Sequence, residues 1–215
     1  MKNFLFRIFI MTIGLVFFAV GIVLTIKANI GLAPWDVFHE GVSKTLGISF
    51  GIASIAVGVV ILLLLILLKE KFGIGSLSNM ILIGIFIDII LYLDFIPVFE
   101  NIVICILILI AGLFSVALGS YYYIKSGFGV GPRDNLMVVL TRATKIPVGI
   151  CRSIIELAVC AGGYFLGGTV GIGTIISVVG IGFCVQIVFR IFKFDITKVK
   201  HESLRETFES FNKNL

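Results

Sequence analysis

The sequence predicts an all-α polytopic membrane protein with six transmembrane helices, arranged as two inverted three-helix repeats, each with a short helix after its first span. Hydrophobic residues make up 59% of the 215-residue chain and charged residues only 13%. A soluble domain of this size could not bury so much apolar surface. Six apolar runs are long enough to cross about 30 Å of hydrocarbon as helices. An internal repeat relates the first three runs to the last three.

The six apolar runs alternate with short polar connections. They cover residues 4–26, 48–68, 77–96, 102–124, 148–167 and 174–193. Basic residues ahead of the first run resemble the start of a secretory signal. We expect no cleavage there, because this run has a counterpart in the second half of the chain.

The repeat appears as one gap-free match of the chain with itself at an offset of 98 residues. This offset places Pro34 on Pro132 and Asp36 on Asp134, and it places a GIGS sequence on a GIGT sequence. Each half contains three spans, an odd number. The second half therefore enters the membrane from the side opposite the first, and the repeats are inverted.

The predicted units follow from this repeat. The first inverted repeat covers residues 1–98 and the second covers 99–194. Residues 195–215 are polar, and Ser203 with Glu206 has the spacing of a capping box. This last segment is predicted to be a cytoplasmic amphipathic helix.

Charges beside the runs predict the orientation. The formal net charge is +5, but the Lys and Arg residues lie next to the apolar runs, so we expect lipid headgroups and no nucleic acid as partner. With most of these residues on the cytoplasmic side, chiefly Lys27 and Lys44 lie outside, together with Asp94 and Glu100. Both termini are then cytoplasmic.

A short helix is predicted after the first run of each repeat. Pro at the first helical position and an acid two residues later are typical of a helix start, as at Pro34 and Pro132. From Pro34 to Leu46 the helix covers roughly 20 Å, too little to cross a bilayer. It lies either flat in the interface, anchored by Trp35, or dips into the membrane as a half-helix whose start faces a shared cavity.

Several motifs carry a family resemblance: GLAPWDVFH at residues 31–39, GPRDNLM at 131–137, GGTVGIGT at 167–174, and the pair Arg152 and Glu156. Together they resemble the YczE/YyaS/YitT-like family of bacterial membrane proteins, over roughly residues 4–193. The resemblance implies a multi-pass protein of the bacterial plasma membrane. It implies no established molecular activity.

Five charged residues are the candidate substrate-binding or gating residues: Asp36, Arg133, Asp134, Arg152 and Glu156. Arg152 and Glu156 are four residues apart and share one helical face, at the depth expected for the start of the second short helix. The four charges of the second half form either a closed salt-bridge network that fixes this helix, or a gate with an arginine that contacts an anion.

Asp88 lies within the third apolar run without a polar neighbour in sequence. An acid near the centre of a span costs about 2.5 to 3.5 kcal/mol on insertion scales, so its side chain should face the bundle interior. Asp88 is therefore a proton-coupling candidate. The alternative is a neutral or hydrogen-bonded aspartate with a structural role.

Motifs for catalysis and metal binding are missing from the sequence. His39-Glu40 lacks the second histidine of HExxH, and the glycine-rich segments lack the lysine of a phosphate-binding loop. The four cysteines have no metal-ligand spacing and are interpreted as small buried apolar residues. We expect no enzyme activity, no cofactor and no metal.

The leading functional prediction is a carrier for a small molecule or ion, with its site between the two halves. Inverted repeats provide alternating access when one half rocks against the other. A membrane channel is the nearest alternative. The second alternative is a non-transporting assembly or anchoring protein. The third is a membrane enzyme whose paired acids bind metal.

Overall fold

The computed structural model describes residues 2–70, 72–145, 148–194, 199, 202 and 206. These residues form eight α-helices and no strand, which confirms the predicted all-α class. The helices are α1 (Lys2–Lys27), α2 (Pro34–Leu46), α3 (Phe50–Leu67), α4 (Ile74–Leu93), α5 (Ile102–Lys125), α6 (Pro132–Thr144), α7 (Val148–Phe165) and α8 (Ile172–Ile191). Most of the predicted tail helix lies outside the described residues.

Five of the described helices are long and apolar enough to cross a membrane, namely α1, α3, α4, α5 and α8. The sixth predicted span, α7, does not meet this criterion and carries Arg152 and Glu156. The chain is therefore a helical membrane protein in which composition alone accounts for five spans. The short helices α2 and α6 each have 13 residues.

The helix boundaries repeat along the chain at the predicted interval. α2, α3 and α4 begin and end 98 residues before α6, α7 and α8. The connecting turns repeat as well, because Gly31 and Gly129 share a φ of 112° and the left-handed backbone of Gly47 recurs at Lys145. The two halves thus have the same order of elements, and the last three helices of each half have the same lengths.

The first helices of the two halves pack directly on each other. A Cβ at Gly14 would lie 2.9 Å from the carbonyl oxygen of Gly119, and a Cβ at Gly21 would lie 2.6 Å from that of Gly112. Only glycine allows backbones to approach so closely. Residue numbers rise along α1 as they fall along α5, so these two counterparts are antiparallel.

Within the described ranges, the third and fourth helices pack on each other in the first half but not in the second. α3 lies against α4, where a Cβ at Gly84 would be 2.6 Å from the carbonyl oxygen of Gly51. Its counterpart on α8 is Gly182, and no atom of a described residue lies within 4 Å of a Cβ placed there. Among the described residues α7 makes no comparable packing on α8 and lies instead against α2, with Gly163 beside Gly41. One helix pair is closed, whereas its counterpart is open.

Ion pairs show where the ends of the helices lie. Lys27, at the end of α1, pairs with Asp94, at the end of α4. Arg142, near the end of α6, pairs with Glu70, which follows the end of α3, at 2.7 Å. α2 instead leads into the beginning of α3. The carboxyl ends of α2 and α6 therefore lie at opposite ends of α3.

Candidate functional site

A cavity of about 200 Å³ lies between the two halves. Twelve lining residues of the first half each have a counterpart 98 positions later that also lines the cavity. The first-half members of these pairs are Phe18, Ile22, Thr25, Ala33, Pro34, Trp35, Asp36, Ser54, Gly58, Asn79, Met80 and Ile83. Both short helices thus present their first turns to one cavity.

The five charged residues predicted for the site all line this cavity. Three come from the first turns of the short helices and two from α7, and they are Asp36, Arg133, Asp134, Arg152 and Glu156. Asp88 does not line it. The candidate residues of the short helices and of α7 therefore lie together at one cavity, and their role in binding or gating stays a prediction.

Two acidic residues line the cavity because they lie in the first turns of α2 and α6. Pro34 and Pro132 occupy the first turn, and neither helix has a side-chain N-cap. Asp36 and Asp134 then place an acidic side chain beside the positive end of each helix dipole, where negative charge is favoured. At Asp134 desolvation by the surrounding protein has the larger effect and raises the pKa of the carboxyl group, although Arg152 and Arg133 oppose it. Each helix start carries its own counter-charge, so an additional anion would gain little at this position.

Arg133 connects the two short helices. Its guanidinium lies 4.9 Å from the centroid of the Trp35 ring, and its Nη2 lies 3.1 Å from Nε2 of His39. Because arginine can only donate, Nε2 of His39 accepts and the ring proton is on Nδ1. This Nδ1 faces Oδ1 of Asp36 at 3.6 Å, beyond hydrogen-bond distance.

His39 is neutral for a physical reason. It lies on α2, outside the spanning helices, and is completely buried. Burial, aided by the nearby charge of Arg133 and opposed by Asp36, lowers the pKa of His39 to about 4. The ring therefore acts as an acceptor for Arg133 at neutral pH.

The predicted four-residue salt-bridge network forms only in part. Nε of Arg152 donates to Oε1 of Glu156 at 2.8 Å, as their spacing predicts. Arg133 contacts His39 instead of an acid of its own half. Asp134 has neither a hydrogen bond nor an ion pair with another described residue, and it is exposed to solvent. Its carboxylate is open to the cavity that it lines.

Two buried hydroxyl groups of the cavity wall have no partner among the described residues. They are Oη of Tyr123 and Oγ of Ser177, whose residues are 2% and 1% exposed. A buried polar group left without a hydrogen bond costs about 1 to 3 kcal/mol. The sequence analysis missed both hydroxyls, although the repeat pairs Ser177 with the polar Asn79 and could have drawn attention to it.

Asp88 lies in the contact between α3 and α4. Its Oδ1 accepts from the backbone N–H of Gly51 at 2.7 Å, and its Oδ2 accepts from the Ser49 hydroxyl. Ser49 is the N-cap of α3 and accepts from the backbone N–H of Ile52. The carboxylate thus joins α4 to the start of α3. Its proton-coupling role stays a prediction beside this structural one.

In the part of the chain that the structure describes, no cluster of three or more His, Cys, Asp and Glu residues could hold a metal ion. The four cysteines form no disulfide; three are buried and Cys160 is partly buried. This is an environment suited to small apolar side chains.

Comparison with known proteins gives the family. Residues 5–190 match a model described as a family of unknown function (DUF6198). The chain belongs to this family. The resemblance predicted from the motifs is confirmed, since the relatives include YczE and YyaS.

The relatives cover most of the chain. The uncharacterized membrane protein YczE of Bacillus subtilis is 34% identical over 169 residues, which are 77% of this chain and 77% of that protein. An uncharacterized protein of Haemophilus influenzae is 30% identical over 187 residues, 84% of each chain. YyaS of Bacillus subtilis is 27% identical over 168 residues, 77% of this chain and 84% of that protein. No solved structure gives a significant match.

Proposed function

We propose that the protein is a carrier for a small solute and that the cavity between its halves is the substrate site. The observation that carries this proposal is the paired lining, because twelve positions of each half meet at one cavity with the same sequence offset. A site that is lined by equivalent positions of two inverted halves can open to either side of the membrane by equivalent movements of the halves.

The carrier requires six crossings with the halves in opposite orientations. The antiparallel packing of α1 and α5 supports this inversion, as does the placing of α2 and α6 at opposite ends of α3. α7 serves as the sixth span: it has 18 residues, as does α3, and would cover about 27 Å. Its two charged residues line the cavity.

In this arrangement the short helices are re-entrant. Their first turns meet at the cavity, whereas their carboxyl ends lie at opposite ends of α3. A flat helix in each interface would not bring Arg133 within 3.1 Å of His39 on the other short helix. Half-helices that start at a central site are a device of inverted-repeat transporters.

The unequal helix packing supplies the asymmetry that alternating access needs. α3 is closed on α4, with Asp88 bound to Ser49, whereas Gly182 on α8 faces open space. In the opposite conformation the second half takes the closed packing and the first half the open one. α7 then packs on α8, and α3 separates from α4. With the N-terminus in the cytoplasm, the α3–α4 contact lies toward the outside and the described conformation is open to the cytoplasm.

Labelling of one cysteine from each side of the membrane tests this proposal. In a variant without the four native cysteines, Ser54→Cys places a thiol at a buried position of the cavity wall. Leu63→Cys, on the apolar exposed surface of the same helix, is the control. Both variants are reconstituted in one orientation and treated with a membrane-impermeant maleimide.

A carrier predicts that the Ser54→Cys thiol reacts from both sides at different rates, and that Leu63→Cys reacts from neither. Reaction from one side only, whatever the conditions, would contradict alternating access. Uncoupled flux at conductance-like rates through the same liposomes would indicate a channel. An anchoring protein would be favoured by two results together. Removal of residues 197–215 would abolish a cellular phenotype while the spans stay folded, and the Ser54→Cys thiol would not react from both sides.

A further inference from the structure

We propose that the cavity binds a small organic cation, a protonated primary amine, with its ammonium group at Asp134. The assignment of this cation as a transported substrate rests on the carrier function proposed above. The binding site itself rests on the charges, hydroxyl groups and apolar wall of the cavity.

The charges of the cavity wall favour a cation. Three carboxylates line the cavity against two guanidinium groups, which leaves one negative charge in excess. Arg133 is occupied by Trp35 and His39, and Arg152 is occupied by Glu156. Glu156 is bound by Arg152, and the buried Asp36 faces His39 at 3.6 Å. Asp134 is exposed and has no hydrogen bond or ion pair with a described residue.

The unpartnered hydroxyl groups are a second, independent observation. Oη of Tyr123 and Oγ of Ser177 are buried in the same wall and accept no hydrogen bond from a described residue. An alkylammonium group has three N–H donors, as the lysine side chain does. Asp134, Tyr123 and Ser177 supply three acceptors of the kind that such a group needs.

The remaining wall favours an organic body over a bare metal cation. Apolar side chains make up much of it, including Met80, Ile83, Leu113, Val116 and Ile181. A cavity of about 200 Å³ leaves room beyond the ammonium group. Small-molecule sites typically combine such apolar surface with a few placed polar groups, whereas hard metal cations need a shell of oxygen ligands.

The sole tryptophan of the chain provides the assay. Trp35 lines the cavity, so its fluorescence reports on a ligand there. The purified full-length protein is titrated with n-butylammonium, and with n-butanol, butyrate and sodium as neutral, anionic and inorganic comparisons. We expect a saturating change with n-butylammonium and none with the other three.

Three variants test the residues. Asp134→Asn should weaken binding by about ten- to a hundredfold, because it removes a charge-assisted hydrogen bond. Asp94→Asn changes an exposed carboxylate that does not line the cavity and is paired with Lys27, so this variant should bind as the unmodified protein does. Tyr123→Phe removes a hydroxyl without a protein partner, so the fold should be retained while binding weakens several-fold.

Several results would overturn the assignment. Equal binding of butyrate or n-butanol would show that charge is not recognised, and saturation by sodium would show an inorganic cation site. Unchanged affinity in both Asp134→Asn and Tyr123→Phe would exclude the proposed contacts. If this binding fails while Ser54→Cys still reacts from both sides, only the cation assignment is wrong; if binding holds but labelling is one-sided, only the carrier function is wrong.

Discussion

Substitution of Gly84 by alanine should shift the protein toward an outward-open conformation. Gly84 lies where α3 and α4 touch. A Cβ added there would lie 2.5 Å from Cγ1 of Ile55 and 2.6 Å from the carbonyl oxygen of Gly51. Since carbon atoms pack best at about 3.5 to 4.0 Å, the two helices would have to separate by about 1 Å.

The size of the effect follows from this overlap. Overpacking of a close contact typically costs about 1 to 3 kcal/mol. The cost applies to the closed α3–α4 arrangement and not to the open one. It therefore raises the ratio of outward-open to described conformation by about 5- to 150-fold.

The matched control is Gly182→Ala at the equivalent position of the second half. No atom of a described residue lies within 4 Å of a Cβ at Gly182. In the exchanged conformation α7 would close on α8 as α3 does on α4, and the added methyl group would then clash. Gly182→Ala should therefore disfavour the outward-open conformation.

The assay is the external labelling rate of the Ser54→Cys thiol. Gly84→Ala should raise this rate by about 5- to 150-fold until reaction is limited by the reagent, and Gly182→Ala should lower it. Both variants must give the same elution profile as the parent. Changes of equal sign in the two variants, or no change in either, would refute the reasoning.

Further predictions concern stability, measured by unfolding in SDS with the tryptophan fluorescence as signal. Asp88→Asn weakens the acceptor of the Ser49 hydroxyl and should lower the free energy of unfolding by about 1 to 2 kcal/mol; an unchanged value would mean that this contact does not hold α3 on α4. Gly14→Ala would place a Cβ 2.6 Å from the backbone nitrogen of Tyr123 and should cost about 1 to 3 kcal/mol, so a stabilised variant would argue against the α1–α5 contact. Arg142→Gln removes a largely exposed ion pair and should change the free energy by less than about 1 kcal/mol; a greater loss would show that the pair is structural.

Local sequence signals predicted the elements well because their causes are local. Pro34 and Pro132 fix helix starts, and α2 and α6 begin at these residues. The last run of each half was placed at residues 77 and 174, whereas the helices begin at Ile74 and Ile172. Glycines lower the local apolar content, yet Gly73 and Gly171 serve as N-caps of these helices.

The members of the site could be predicted, but their partners could not. Arg133 and Asp134 were evident from the sequence because the start of the second short helix repeats that of the first at an offset of 98 residues. The contact between Arg133 and His39 joins residues 94 positions apart. It depends on two short helices meeting at their starts, which no local pattern specifies. Tyr123 and Ser177 were missed because single hydroxyls are common in apolar helices.

The difference in helix packing between the two halves could not be predicted from the sequence. Gly84 and Gly182 occupy equivalent places in helices of 20 residues each. One lies in a closed contact and the other faces open space. In an alternating mechanism each helix pair, α3 with α4 and α7 with α8, is closed in one conformation and open in the other. The repeat therefore predicts that the two pairs are equivalent, but not which of them is closed.

The opposite orientation of the two halves is the central claim, and cysteines at the ends of the short helices test it most directly. Leu46→Cys and Thr144→Cys lie at exposed, equivalent positions 98 residues apart. In the variant without native cysteines, a membrane-impermeant maleimide added to intact cells should label Leu46→Cys. It should label Thr144→Cys only after the membrane has been permeabilised. Labelling of both thiols from the same side would contradict the inverted arrangement and the carrier function built on it.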